Sequence, residues 1–181
     1  MNEKTDIKEV LASEEQLKSI VKRLGEQITR DYEGKKLLMV SVLKGAVVFM
    51  SDLLREVKCD CVIDFMSVSS YSGTKTTGVV KFKKDLDINP EGMDILLVED
   101  ILDSGITLAY LKGVLKDRNA NSIKVCTLLD KPENRKGDIN ADYVGMVIPD
   151  AFVVGYGLDY DEKYRNLPYV GILSPSVYEN K

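Results

Sequence analysis

The 181-residue chain is 44% apolar and 30% charged with a net charge of −4, ordinary values for one soluble globular domain with a sizeable core. The acidic balance, without a basic stripe, argues against a nucleic-acid partner. Histidine is absent, so any general acid or base must be a carboxylate, lysine, tyrosine or cysteine, which excludes Ser-His and Cys-His hydrolase mechanisms. Cys59, Cys61 and Cys126 are odd in number and form no C-x-x-C pair, so neither disulfides nor zinc are expected and a reducing compartment fits. The polar opening Met1-Asn2-Glu3-Lys4 and the lack of a membrane-length apolar run predict no secretory leader and no membrane partner. A cytoplasmic location follows as the expectation.

Ser13-Glu14-Glu15-Gln16 reads as a capping box, with Leu17, Ile20, Val21, Leu24 and Ile28 following at helical spacing until near Gly34. Leu37 to Leu43, apolar apart from Ser41, is the first expected strand. Lys44-Gly45 follows at its end, before a helix carrying Val47, Phe49, Met50, Leu53 and Leu54; a lysine in that place is ordinarily a solvated charge. Cys61 to Val68 and Val79 to Phe82 read as two further strands. The stretch between them, Ser69 to Gly78, is poor in apolar residues, and its polarity alone suits disorder.

Ile95-Leu96-Leu97-Val98 has no polar alternation, as expected of a parallel strand buried on both faces. Glu99 and Asp100 follow, adjacent acids that repel unless they meet a cation or hydrogen-bond donors; they suit a hydrated Mg²⁺ or a sugar diol. Asp103-Ser104-Gly105-Ile106-Thr107 then opens a segment with Leu108, Leu111, Val114 and Leu115 at helical spacing. Strand, acidic turn and helix N-terminus together make a phosphate cradle beside a metal-friendly diol site. The plainer alternative is that Asp103 and Ser104 cap the helix and the acids are solvated. Ile123 to Leu129 is another buried-strand run, and Asp130 to Gly137, charged and containing Pro132, is its loop. By spacing alone Phe152, Val153 and Val154 are a core strand, with Gly155 and Gly157 marking close backbone approach. The alternation of strands and helices predicts a doubly wound, mostly parallel α/β fold with ligands at the carboxyl ends of the strands.

The stretch Asp94 to Leu108 resembles, nearly residue for residue, the phosphoribosyl-diphosphate (PRPP) motif of the type I phosphoribosyltransferase family: apolar strand, Glu-Asp, two apolar residues, Asp, Ser/Thr-Gly, any residue, Thr. It has neither the Gly-Lys-Ser/Thr end of a Walker A loop nor a G-x-G-x-x-G fingerprint. Leu43-Lys44-Gly45 is similar to the diphosphate turn of the purine enzymes of that family, which often contains a cis peptide; some relatives carry a second glycine where this chain has Ala46. Pro149 to Tyr160 is similar to the purine-site segment of the hypoxanthine-guanine branch. The likeness covers roughly Leu37 to Leu173.

That resemblance implies transfer of the 5-phosphoribosyl group from PRPP to N9 of hypoxanthine or guanine, giving IMP or GMP and diphosphate, with Mg²⁺ as cofactor. It implies one domain, with a core over about 37–150 and a small hood from about 1–20 and 150–181. Lys44, Gly45 and Arg165 then contact the diphosphate, Ser70 and Tyr71 belong to a lid, and Asp103, Ser104, Gly105, Ile106 and Thr107 cradle the 5-phosphate. Glu99 and Asp100 hold the ribose diol and the metal shell, and Asp159 is a further metal ligand. Asp103 is the expected general base. Lys131 reads O6 of a 6-oxopurine, where adenine offers no acceptor; Phe152 stacks on the base and the Val153 backbone reads its edge. A homodimer or homotetramer is expected. Xanthine- or pyrimidine-specific transfer, or a PRPP-sensing regulator, are the alternative readings.

Overall fold

The computed structural model describes residues 3–70 and 80–179. A short helix α1 (Glu3–Asp6) leads into strand β1 (Ile7–Ala12) and helix α2 (Glu14–Asp31), followed by β2 (Leu37–Val42), α3 (Val47–Glu56), β3 (Cys61–Ser70) and β4 (Val80–Lys84). The second half runs β5 (Asp94–Leu102), α4 (Ile106–Asp117), β6 (Ser122–Asp130), β7 (Tyr143–Val147), β8 (Val153–Val154), β9 (Val170–Leu173) and α5 (Pro175–Tyr178).

A six-stranded sheet has the order β4-β3-β2-β5-β6-β7, parallel throughout except for the edge strand β4. The unbroken apolar runs lie at its centre because only there are both faces covered. Met39, Leu96, Val98, Cys126 and Leu128 face α2 and α3, meeting Leu17, Leu24, Ile28, Phe49 and Leu53. Leu38, Val40, Ile95, Leu97 and Val125 face α4 and its Leu108, Leu111 and Leu115. The capping box at Ser13 forms as expected: its hydroxyl accepts from the Gln16 N–H while the Gln16 side chain accepts from the Ser13 N–H.

A second, antiparallel sheet of order β1-β9-β8 joins the two chain ends. Spacing did not reveal β1, β7 or β9; β1 exposes three of its six residues in a row and so lacks strict alternation. Other expectations shift by a residue or two. β2 stops at Val42 rather than Leu43, and β4 runs to Lys84; the expected start of that strand, Val79, lies outside the described residues. All three cysteines are free, and among the described residues no helix is long and apolar enough to cross a membrane.

Candidate functional site

The central correction concerns Glu99 and Asp100, which lie within β5 and not in a turn after it. Pairing with β2 ends at Ser41↔Val98, whereas pairing with β6 continues to Ile101↔Leu129 and Leu102↔Asp130. The acids therefore occupy the part of β5 that β2 no longer pairs. They are half-buried rather than solvated. Burial, with repulsion from Asp100, drives the Glu99 carboxyl well above the ordinary range. Burial also pushes Asp100 up to about 6, although its carboxylate accepts the Ile101 N–H at 2.8 Å and feels the nearby Arg165 charge.

Beyond β2 the chain turns at Leu43–Lys44, a cis peptide, and Gly45 presses directly on the acids: a Cβ there would collide with the Asp100 carboxylate. Gly157, at φ 102°, in turn backs onto the Gly45 carbonyl with no room for a side chain. The Lys44 ammonium is exposed and pairs with Glu162 at 3.0 Å. Arg165 donates to the Gly157 carbonyl at 2.7 Å and pairs with Asp159 at 2.8 Å and Glu162 at 3.2 Å. The proposed diphosphate and metal residues thus meet at one corner. Among the described residues, no group of three or more acidic or cysteine side chains is arranged as a ready-made metal cage.

Helix α4 begins at Ile106, and its cap is Gly105 at φ 75° with no side-chain capping bond; Asp103 and Ser104 therefore do not cap it. The first intrahelical bond runs from the Ala109 N–H to the Gly105 carbonyl, which leaves the N–H groups of Ile106, Thr107 and Leu108 without helical acceptors. Glu99, Asp103, Ser104, Gly105 and Thr107 line a cavity of about 160 Å³ over this end. The loop after β6 braces it. Arg135 donates to the Leu102 carbonyl at 3.1 Å and to the Asp103 carbonyl, and pairs with Asp130, while the Lys136 and Gly137 N–H groups both reach the Ser104 carbonyl at 2.9 Å. Arg135 went unnoticed in the sequence because a loop arginine gives no signal of what it braces.

Lys131 is only 7% exposed, which removes the solvated-lysine alternative. Its ammonium donates to the Ala151 carbonyl at 2.6 Å and approaches Asp150 at 3.4 Å; Asn134 holds the same Asp150 carboxylate at 2.8 Å. Phe152 is not a core residue: it lies outside β8 and is 41% exposed. Val153 is buried by its side chain, yet its backbone is turned outward. The Leu173 N–H bonds the Phe152 carbonyl at 2.8 Å, so in the Val153↔Ile172 register the peptide groups of Val153 point away from β9, to the unpaired edge. Ser70 ends β3, and the expected lid residue Tyr71 lies outside the described residues.

A mostly parallel sheet with helices on both faces, and a helix terminus, paired acids and an exposed aromatic gathered beyond its strand ends, places the chain among the doubly wound α/β proteins. The chain belongs to the phosphoribosyl transferase family, whose domain model matches residues 8–161. It is 55% identical over 178 residues to a hypoxanthine-guanine phosphoribosyltransferase of Bacillus subtilis, a match covering 98% of this chain and 99% of that one. Among solved structures, a hypoxanthine phosphoribosyltransferase of Staphylococcus aureus superposes with a TM-score of 0.94 at 54% identity, covering 98% of both chains. A hypoxanthine-guanine phosphoribosyltransferase of Bacillus anthracis gives 0.88 at 52%, covering 93% of this chain and 98% of that chain.

Proposed function

We propose that this enzyme moves the 5-phosphoribosyl group from PRPP to N9 of hypoxanthine or guanine, releasing diphosphate and giving IMP or GMP, as a cytoplasmic homodimer or homotetramer. One observation supports this above the others. The Lys131 N–H bonds the Leu102 carbonyl at 3.0 Å, one residue before Asp103, while its ammonium bonds the carbonyl of Ala151, one residue before Phe152. A single buried lysine therefore joins the Asp103 loop to the aromatic edge, with its backbone held at one and its ammonium at the other.

In this reading the chain acts as one domain, the sheet of about 37–150 under a hood from the chain ends. Ser104 to Thr107 hold the 5-phosphate with the free N–H groups and hydroxyls. Lys44, the Gly45 backbone and Arg165 hold the diphosphate, and the lid at Ser70 and Tyr71 excludes water from the reacting sugar. Glu99, Asp100 and Asp159 offer the oxygen donors that a hydrated Mg²⁺ takes. Mg²⁺ brought with PRPP supplies positive charge against the leaving diphosphate. Phe152 stacks on the base, Val153 bonds its edge, Lys131 donates to O6, and Asp103 takes the N7 proton as the C1–N9 bond forms.

The test is turnover of PRPP with hypoxanthine, guanine, xanthine, adenine, uracil and orotate. IMP and GMP should form, EDTA should abolish the reaction and Mg²⁺ restore it. Turnover of uracil or orotate in place of the oxopurines, or full activity in excess EDTA, overturns the reading.

A further inference from the structure

The C-terminal segment contributes a ring that the proposed reaction does not use. Tyr178, on α5, stacks on Phe152 with centroids 5.3 Å apart and planes 27° from parallel. Tyr160 meets Phe152 at 5.5 Å and 88°, and the two tyrosines are 6.4 Å from each other. Rings on opposite faces of Phe152 would stand nearly twice as far apart as either stands from it. Tyr178 and Tyr160 therefore sit to one side of Phe152, which is 41% exposed.

The support is itself anchored. The Ser174 N–H bonds the Asp6 carbonyl at 2.8 Å, tying the start of α5 to the N-terminal segment, and Tyr178 and Tyr160 pack on a small core of Val154, Tyr164, Leu167 and Leu173. A stacked pair with a third ring at right angles is the arrangement favoured by aromatic quadrupoles. It also holds the Phe152 ring in one orientation, so that a base stacking on the open face meets a ring already in place.

We infer that Tyr178 is a positioning residue for the purine site: it covers the rear face of Phe152 and presents the other face to the base. This rests on the reading of Phe152 as the base-stacking residue. Without Tyr178 the ring would gain rotamer freedom and a second exposed face, and ordering it would fall to the base. The loss should appear in binding of the base and not in PRPP handling, since the described ring contacts of Tyr178 are with Phe152 and Tyr160 and not with the phosphate or acid residues.

The experiment is steady-state kinetics of the full chain carrying Tyr178→Ala, Tyr178→Phe or Phe152→Leu. Tyr178→Ala should raise KM for hypoxanthine about 2- to 12-fold, the worth of one aromatic pair, while KM for PRPP stays within about twofold. Tyr178→Phe should restore the wild-type value, because the ring and not the hydroxyl does the work. An unchanged KM for the base in Tyr178→Ala, beside a raised one in Phe152→Leu, overturns the inference and leaves the stacking reading intact. If Phe152→Leu also leaves that KM unchanged, the stacking reading is the part that fails. A lowered KM in Tyr178→Ala would mean that Tyr178 occupies the base's place, which also overturns it.

Discussion

Asp64 and the Glu99-Asp100 pair are acids on neighbouring parts of one sheet, yet they are treated in opposite ways. Asp64, on β3, is 5% exposed and surrounded by donors: the N–H groups of Phe65, Asp87 and Ile88 at 2.7, 2.7 and 2.9 Å, and the Lys84 ammonium at 3.2 Å. Burial alone would raise its pKa, but these donors outweigh burial and hold the carboxyl below its ordinary range. Glu99 and Asp100 are pushed the other way by the same burial. A buried acid that the fold surrounds with donors fastens the β3–β4 region, whereas at Glu99 and Asp100 burial outweighs the donors present.

The sharpest break between the two regions should come at Asp103. Asp103→Asn keeps the side chain's size and removes the base, so kcat at saturating substrates should fall by roughly 10²–10⁴ with little change in Tm. Because α4 is capped by Gly105, a kcat within about threefold of wild type could not be explained by a cap either, and Asp103 would lose its assigned role.

Lys131→Gln comes next. Loss of the charge-assisted bond to O6 should cost the oxopurine roughly 10- to 150-fold in kcat/KM and spare adenine, so the hypoxanthine to adenine ratio of kcat/KM is the quantity to measure. A constant ratio would assign Lys131 to bracing alone, through Asp150 and Ala151.

The two acid sites should then respond oppositely to the same neutral substitution. Asp64→Asn leaves backbone donors facing an amide and should lose about 1–3 kcal/mol of stability at pH 7 while kcat is kept. With its folded pKa depressed, Asp64 stabilises above the unfolded value near 3.8, and that contribution is lost as pH falls through the folded value. Glu99 is the reverse case. Its raised folded pKa means that acidification from pH 7 favours the native state, and Glu99→Gln should leave the ligand-free protein equally or more stable at pH 7, by about 2–4 °C in Tm for each 1 kcal/mol relieved. Thermal unfolding of both variants from about pH 2 to 8 checks the contrast; destabilisation by Glu99→Gln comparable to Asp64→Asn would erase it.

The smallest effect belongs to Glu162, an exposed carboxylate lying between Lys44 and Arg165 where diphosphate oxygens are proposed to go. Glu162→Gln should lower KM for PRPP by about 1.5- to 5-fold, the range of an exposed ion pair. A raised KM would mean that Glu162 orders these cations rather than competing for them.

The amino-acid order alone determined the doubly wound core, since the unbroken apolar run at Ile95 and the largely apolar ones at Leu37 and Ile123 are satisfied between two layers of helices. It also marked Asp103 to Thr107 as the small, hydroxylic opening of a helix, which α4 supplies with Gly105 as its cap. Local pattern does not carry the placement of β1 and β9, whose pairing joins residues more than 150 apart in the chain. Nor does it carry the fate of individual side chains. Lys131 and Phe152 have the composition of an exposed loop and a buried strand, yet the lysine is buried by Ala151 and Asp150 and the phenylalanine stands out into solvent. Only the tertiary structure decided where β2 stops beside β5, and so whether the backbone at Glu99 and Asp100 is paired on that side. Burial and donor supply are properties of what lies next to a residue in space, and for these acids the neighbours come from parts of the chain that the local sequence does not describe.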